Sequence, residues 1–282
     1  MTPENLVLHE ELARITDNFT FGYDGKIHPF IWEVKDKGVC SAYEIVMQHK
    51  IWGISSIKLE DFEKFNQSVL GYSKEEYQCI FDVLIQDLTD FEFYVGYYPD
   101  EVFCLFIGKT HDSQWIGIGS GFVIDIYASF VGRFETSQTY LRSKIPLSSE
   151  AIKVLSSLEE RGFSQAEFPI WDVRNRGGEK KYIYEVAQDK KDLLEQLMIS
   201  TRLLVVQEFG EGIDVLASKF YVPEDDPERD YEKLDLFITS KLTDLKIYIV
   251  GLASVCEFNI YVVGITSSGD YAGVLIDVSL NT

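Results

Sequence analysis

The chain is poor in the residues from which metal and thiol sites are built. It has four cysteines in 282 residues, Cys40, Cys79, Cys104 and Cys256, and none forms a CxxC pair. Cys104 and Cys256 lie in apolar runs, where a reduced thiol behaves as a small hydrophobe. The four histidines, His9, His28, His49 and His111, show no HxH, HxxH or HxxxH spacing. The usual ligand signature of zinc and di-iron proteins is therefore missing, and neither a metal nor another cofactor is expected. Long apolar runs are missing as well: the stretch from Val102 to Ile107 is far below the roughly 18 residues of a membrane helix. The opening MTPENLVLHEELARITD alternates charged and apolar residues at helical spacing and does not read as a secretory signal. The expected location is a reducing cytoplasm. Cations are scarce, with Lys and Arg numbering 26 against 46 Asp and Glu, for a net charge of −20. Phosphate binding depends on Lys and Arg releasing counterions, so direct nucleic-acid binding is not expected. The acidic excess either keeps the chain soluble or complements a basic protein partner.

What the sequence does contain is an internal repeat. LTDFEFYVG, from Leu88, recurs as LTDLKIYIVG, from Leu242. The match continues through two hairpins, aligning Gly108 with Gly264, Thr110 with Thr266, Trp115 with Tyr271 and Gly117 with Gly273. Upstream, HPFIWEVKDKG around Trp32 is matched with EFPIWDVRNRGG around Trp171, and Tyr43-Glu44 with Tyr184-Glu185. The expected organisation is two tandem domains, residues 1–145 and 146–282, divided in the polar stretch from Glu135 to Ser149. The first half carries 12 basic and 22 acidic side chains and the second 14 and 24, so the charge divides evenly. Two domains of about 140 residues are of ordinary size.

Each copy opens with a helix. Leu8, Leu12 and Ile15 line one face in the first copy, and Ile152, Leu155 and Leu158 follow Ser148 or Ser149 as N-cap in the second. Next comes an expected antiparallel hairpin, built from Pro-Phe-Ile-Trp-Glu-Val and the segment ending in Ile45 to Met47. A short helix carrying Leu59, Phe62 and Phe65 follows. The main helix of copy one starts in a capping box, Ser73 with Glu76, and presents Tyr77, Ile80, Phe81, Leu84, Ile85 and Leu88. Its counterpart begins with Asp226-Pro227 and presents Tyr231, Leu234, Ile238 and Leu242. Three β segments complete each copy. The fold class is α+β: two tandem repeats, each with helices packed on the faces of a mostly antiparallel sheet.

No enzyme constellation emerges. Gly117-Ile118-Gly119-Ser120-Gly121 looks like a phosphate loop but lies within a β segment, where glycines mark a bulge or a close backbone approach. His111-Asp112-Ser113 holds three catalytic residue types, yet adjacent residues cannot form a triad, and the aligned Ser267-Ser268-Gly269 reads as a hairpin turn. Trp32 and Trp171 read as core residues. Tyr97, Tyr98 and Pro99 read as an aromatic connection open to a partner. Asp225, Asp226 and Glu228 suit a helix N-terminus through its dipole.

The segment IYVVGITSSGDYAGVLIDVSLNT, together with PFIWE, YEIVMQ and the amphipathic helix before the hairpin, resembles the nuclease A inhibitor-like family of bacteria, as a tandem duplication. The resemblance covers most of copy one and, more loosely, copy two. It implies a non-enzymatic α/β/α sandwich that binds a sugar-non-specific, Mg²⁺-dependent ββα-metal nuclease and blocks its active site; the net charge of −20 adds that this partner is basic. It also implies that a terminal Thr reaches the partner's magnesium; Thr282 matches, with Asn281 beside it. A carboxylate with a neighbouring hydroxyl is a hard oxygen ligand suited to Mg²⁺. The family's acidic residue before the Pro-aromatic strand falls at Gln165 or Glu167 in copy two and Asp24 in copy one. Tyr72 stands in the loop that carries the family's aromatic. The other function open at this point is a non-inhibitory protein–protein interaction module on the same fold.

Overall fold

A computed structural model describes residues 1–17, 19–21, 25–48, 55–57, 82–98, 101–120, 135–141, 145–165, 180–210, 212–213, 231–251 and 257–279. It is a mixed α+β structure with two mostly antiparallel sheets. The chain divides into two compact units that do not run as 1–145 and 146–282. Unit 1 comprises Met1–Glu44, Ser129–Tyr140 and Leu204–Thr282, and unit 2 comprises Ile45–Ala128 and Leu141–Leu203. Each unit therefore joins the opening segment of one half to the closing hairpin of the other.

In unit 1 the strands are β1 (Thr20–Phe21), β2 (Gly25–Trp32), β9 (Leu204–Glu208), β10 (Thr243–Val250), β11 (Glu257–Ile265) and β12 (Tyr271–Ser279), ordered β1-β2-β12-β11-β10-β9. Register places Ile27, Ile276, Ile260, Ile249 and Val205 directly across the sheet, and all five are buried. The helices are α1 (Pro3–Thr16), α2 (Val34–Lys37), α3 (Ala42–Gln48), whose first turn belongs to this unit, and α6 (Tyr231–Lys241). α1 packs on β2 and meets α6. Tyr231, Leu234, Ile238 and Leu242 are all buried, as their spacing predicts. On α1 the buried residues are Asn5, Leu12 and Thr16, so a polar side chain begins the apolar stripe.

In unit 2 the strands are β3 (Ser55–Ile57), β4 (Thr89–Tyr98), β5 (Glu101–Lys109), β6 (Trp115–Ser120), β7 (Phe163–Gln165) and β8 (Lys180–Ala187), ordered β3-β4-β5-β6-β8-β7. One face buries Phe93, Phe106, Ile116, Ile118 and Tyr182 against the helical stretch 82–87 and α4 (Ser149–Glu160). The other meets α5 (Lys190–Ser200), so helices cover both faces. Ser148 caps α4, its hydroxyl accepting from Ala151 N. Its buried face is Ala151, Val154, Leu155 and Leu158, whereas Ile152 is exposed. Ile85 is likewise exposed beside buried Val83, Leu84 and Leu88.

The repeated Leu-Thr-Asp has a backbone cause. β4 and β10 each shift register just after it, and Asp90 and Asp244 adopt φ of 47° and 49°. Asp tolerates that left-handed conformation better than most residues. The preceding Thr hydroxyls donate across the bulge to the carbonyls of Lys109 and Ile265. The hairpin turns correspond as well: Thr110 N donates to Gln114 O, and Thr266 N to Asp270 O.

Several expectations are corrected. Ala42–Gln48 is a helix and not a strand: Ala42, Ile45 and Val46 recur at helical spacing and are buried, and the Ser41 hydroxyl accepts from Glu44 N. Tyr43-Glu44 is thus helical while Tyr184-Glu185 lies in β8. Tyr271 pairs with Trp32 and its equivalent Trp115 pairs with Ala187, so the structural counterpart of Trp32 is Ala187. Trp171 lies outside the described residues. Tyr97 and Tyr98 belong to β4 and not to a connection. The start of the polar stretch expected as a boundary, residues 135–137, lies along β9: Ser137 N donates to Val206 O, and Val206 N to Thr136 Oγ1. This arrangement satisfies backbone groups that an edge strand leaves open.

Candidate functional site

Each unit fastens the base of a hairpin to the start of a helix. In unit 1, Thr2 caps α1 through its hydroxyl, which accepts from Asn5 N at 3.2 Å. Asn5, in the first turn of the helix and fully buried, donates through Nδ2 to Glu33 Oε1 (3.0 Å) and Asp270 Oδ2 (2.8 Å). Asp270 also accepts from Val34 N at 2.9 Å. Glu33 accepts from Thr2 N and pairs with the Met1 ammonium at 3.3 Å. These contacts hold both carboxyls below their ordinary range. The Asn5 amide is the largest cause in each, followed by the backbone of Thr2 for Glu33 and of Val34 for Asp270. With Nδ2 committed to two carboxylates, Asn5 Oδ1 is left buried without a partner among the described residues.

In unit 2, Gln114 takes the place of Asp270. Its Nε2 donates to Pro146 O (2.9 Å), and its Oε1 accepts from Ser148 N (3.0 Å), the cap of α4. Glu150 accepts from Asp112 N on the hairpin turn, as Glu4 accepts from Ser267 Oγ in unit 1. Beside the unit 1 cluster a shallow pocket of about 380 Å³ is lined by Glu4, Asn5, Leu8, Glu11, Lys241 and Thr266, among others. Glu11 pairs there with Lys241 at 3.5 Å.

These groups hold one another and do not form an activated nucleophile–base pair. A second cluster in unit 2 is similar: Lys190 Nζ donates to both oxygens of Glu92 at 2.5 Å, and Tyr94 OH donates to Glu92 at 2.8 Å. Burial, then the Glu92 hydrogen bond, pushes the Tyr94 phenol to about 12. Burial likewise raises the Cys40 thiol to about 12, which makes it a poor nucleophile. Among the described residues no group of three or more His, Cys, Asp or Glu side chains is placed to hold a metal.

Of the contact residues expected from the sequence, Gln165 ends the edge strand β7, exposed and paired with Tyr182. Thr282, Asn281, Glu167, Asp24 and Tyr72 lie outside the described residues, as do the helix around Phe62 and the acidic cluster at Asp225. The residues that sequence reasoning missed are Asn5, Glu33, Gln114 and Asp270. The available signal was Asn5 itself, a polar residue in register with Leu8, Leu12 and Ile15. Among the described residues no helix is long and apolar enough to cross a membrane. No known protein-family model matches the chain, and no curated protein matches it in sequence.

Proposed function

We propose that this chain is an acidic, non-enzymatic binding protein of the nuclease A inhibitor-like kind, built by duplication of one α/β/α domain. In this reading it acts in the cytoplasm by neutralising a basic, Mg²⁺-dependent, sugar-non-specific nuclease. The observation that carries the reading is the paired hairpin. It is the segment with the strongest family resemblance, and it occurs twice with the same bulge, turn and register. A net charge of −20 supplies the complement to a basic target and would speed encounter at low salt. The contacts assigned by resemblance are Thr282 with Asn281, Glu167 or Gln165, Asp24 and Tyr72. Thr282 is the oxygen donor to the partner's magnesium.

The test is plasmid digestion by a panel of ββα-metal nucleases with magnesium in large excess, titrated with the full chain and with a version ending at Asn281. Stoichiometric inhibition that disappears with Thr282 is the expected result. Digestion unaffected across the panel by folded, monodisperse protein overturns the inhibitor reading and leaves a non-inhibitory interaction module.

A further inference from the structure

The two hairpins share one backbone geometry, so register alone does not decide which helix–strand segment each receives. β12 pairs with β2 through Tyr271 and Trp32, and β6 pairs with β8 through Trp115 and Ala187, in the same register. Yet each hairpin closes on the segment from the opposite half of the chain. Two side-chain differences account for this choice.

The first is at the hairpin base. Asp270 offers only acceptors and meets only donors: Asn5 Nδ2, Val34 N and, at 3.4 Å, Ser268 Oγ. Gln114 offers both, and needs both, because it faces the Pro146 carbonyl as well as Ser148 N. Pairing each hairpin with its own half would set the Asp270 carboxylate against the Pro146 carbonyl, two acceptors facing each other with no proton between them. It would also leave Asn5 Nδ2 without its second carboxylate.

The second is on the strand. A Cβ at Gly119 would stand 2.4 Å from Thr201 Cγ2, and one at Gly117 would stand 2.9 Å from Leu197 Cδ2. Thr201 and α5 therefore pack directly on the bare backbone of β6. The residue of β12 equivalent to Gly119 is Leu275. Its side chain would fill the space that Thr201 requires, so the second half's own helix cannot seat on its own hairpin.

We infer that the two halves of this chain are specific, obligate partners of each other, with Asp270 and Gln114, together with Leu275 and Gly119, selecting which segment each hairpin accepts. The inference stands apart from any nuclease target.

The experiment replaces residues 142–144 of the full chain with a protease recognition sequence and cuts the folded protein there. The cut sample is expected to elute as one species of about the intact mass, 32.3 kDa. Its urea midpoint is expected to rise with protein concentration, whereas that of the uncut chain does not. Two separately folded pieces, or a concentration-independent midpoint after cutting, would overturn the inference. A second arm gives the closing hairpin the opposite selectors, Asp270→Gln with Leu275→Gly. After cutting and refolding, at least a tenfold loss of association between the pieces is expected, because the second half can now close on itself. The reciprocal pair, Gln114→Asp with Gly119→Leu, tests the rule from the other side. Unchanged association in both variants, or loss of folding in both, would count against selection between two viable pairings.

Discussion

Asn5 and Asp270, 265 positions apart in sequence, are joined by a 2.8 Å hydrogen bond from a fully buried amide to a carboxylate. The same amide nitrogen serves Glu33, so one side chain ties the first helix, the end of β2 and the last hairpin together. Replacing Asn5 with Leu would leave two carboxylates without their shared donor. A urea midpoint below that of the wild type is expected at pH 7, because both carboxylates lose a hydrogen-bond donor while keeping the backbone donors Thr2 N and Val34 N. A change within about 0.5 kcal/mol would show that the cluster contributes little.

The same cluster sets an acid limit. Glu33 and Asp270 are depressed below 4.5 and 3.8, their ordinary values. Unfolding restores those values, so between the folded and ordinary ranges the unfolded state binds more protons. Stability from these groups is complete above about pH 4.5 and is lost as the pH falls through the folded values. Asp270→Asn should flatten the fall in urea midpoint between pH 5 and 3 relative to wild type. An identical slope would remove Asp270 from the account.

Gly273 has no room for a side chain. Its φ is 153°, and a Cβ would stand 1.8 Å from the Val262 carbonyl oxygen on the neighbouring strand. Because the obstacle is backbone, no rotamer change relieves it. Gly273→Ala is expected to destabilise unit 1 by roughly 3 kcal/mol or more, at the upper end of overpacking effects. Gly38→Ala, where open space surrounds the position, is the control for positive φ alone and should cost about 1 kcal/mol.

Trp32 is 2% exposed and donates through Nε1 to Gly38 O at 2.8 Å. Trp32→Phe keeps the apolar volume in part but loses the hydrogen bond to the exposed Gly38, for an expected loss of about 0.5–1.5 kcal/mol. Trp32→Ala should cost about 3–5 kcal/mol. No measurable loss in Trp32→Phe would mean that the hydrogen bond is idle.

Cys40 is buried, and its thiol is shifted to about 12. Alkylation of the native protein at pH 8, read by peptide mass spectrometry, should leave Cys40 unmodified. In denaturant it should react like a free thiol. Rapid native labelling of Cys40 would contradict its burial.

Local physics made much of the fold legible in the sequence. The stripe Tyr231, Leu234, Ile238 and Leu242 is a helical face wherever it occurs, and Ser148 caps a helix by its own hydroxyl. Leu-Thr-Asp followed by alternating apolar residues makes a bulged strand in both copies, because Asp at positive φ is a short-range preference. Glycines inside a β segment did mark close approach, at Gly117 and Gly119. The helix at Ala42–Gln48 was less legible, since Ile45, Val46 and Tyr43 favour strand intrinsically and only burial of the 42, 45 and 46 face decides for helix.

Tertiary structure alone decided which pieces belong together. Repeated segments have the same local preferences, so the sequence pattern predicts two domains in series and is silent on exchange between them. That choice rests on whether Asp270 meets donors or a carbonyl, and whether Thr201 meets a glycine or Leu275. These contacts span tens to hundreds of residues, and no periodicity or propensity encodes them. The sequence by itself determined the charge, the capped and striped helices and the bulged hairpins, whose preferences are local; the three-dimensional fit of a few side chains determined the pairing.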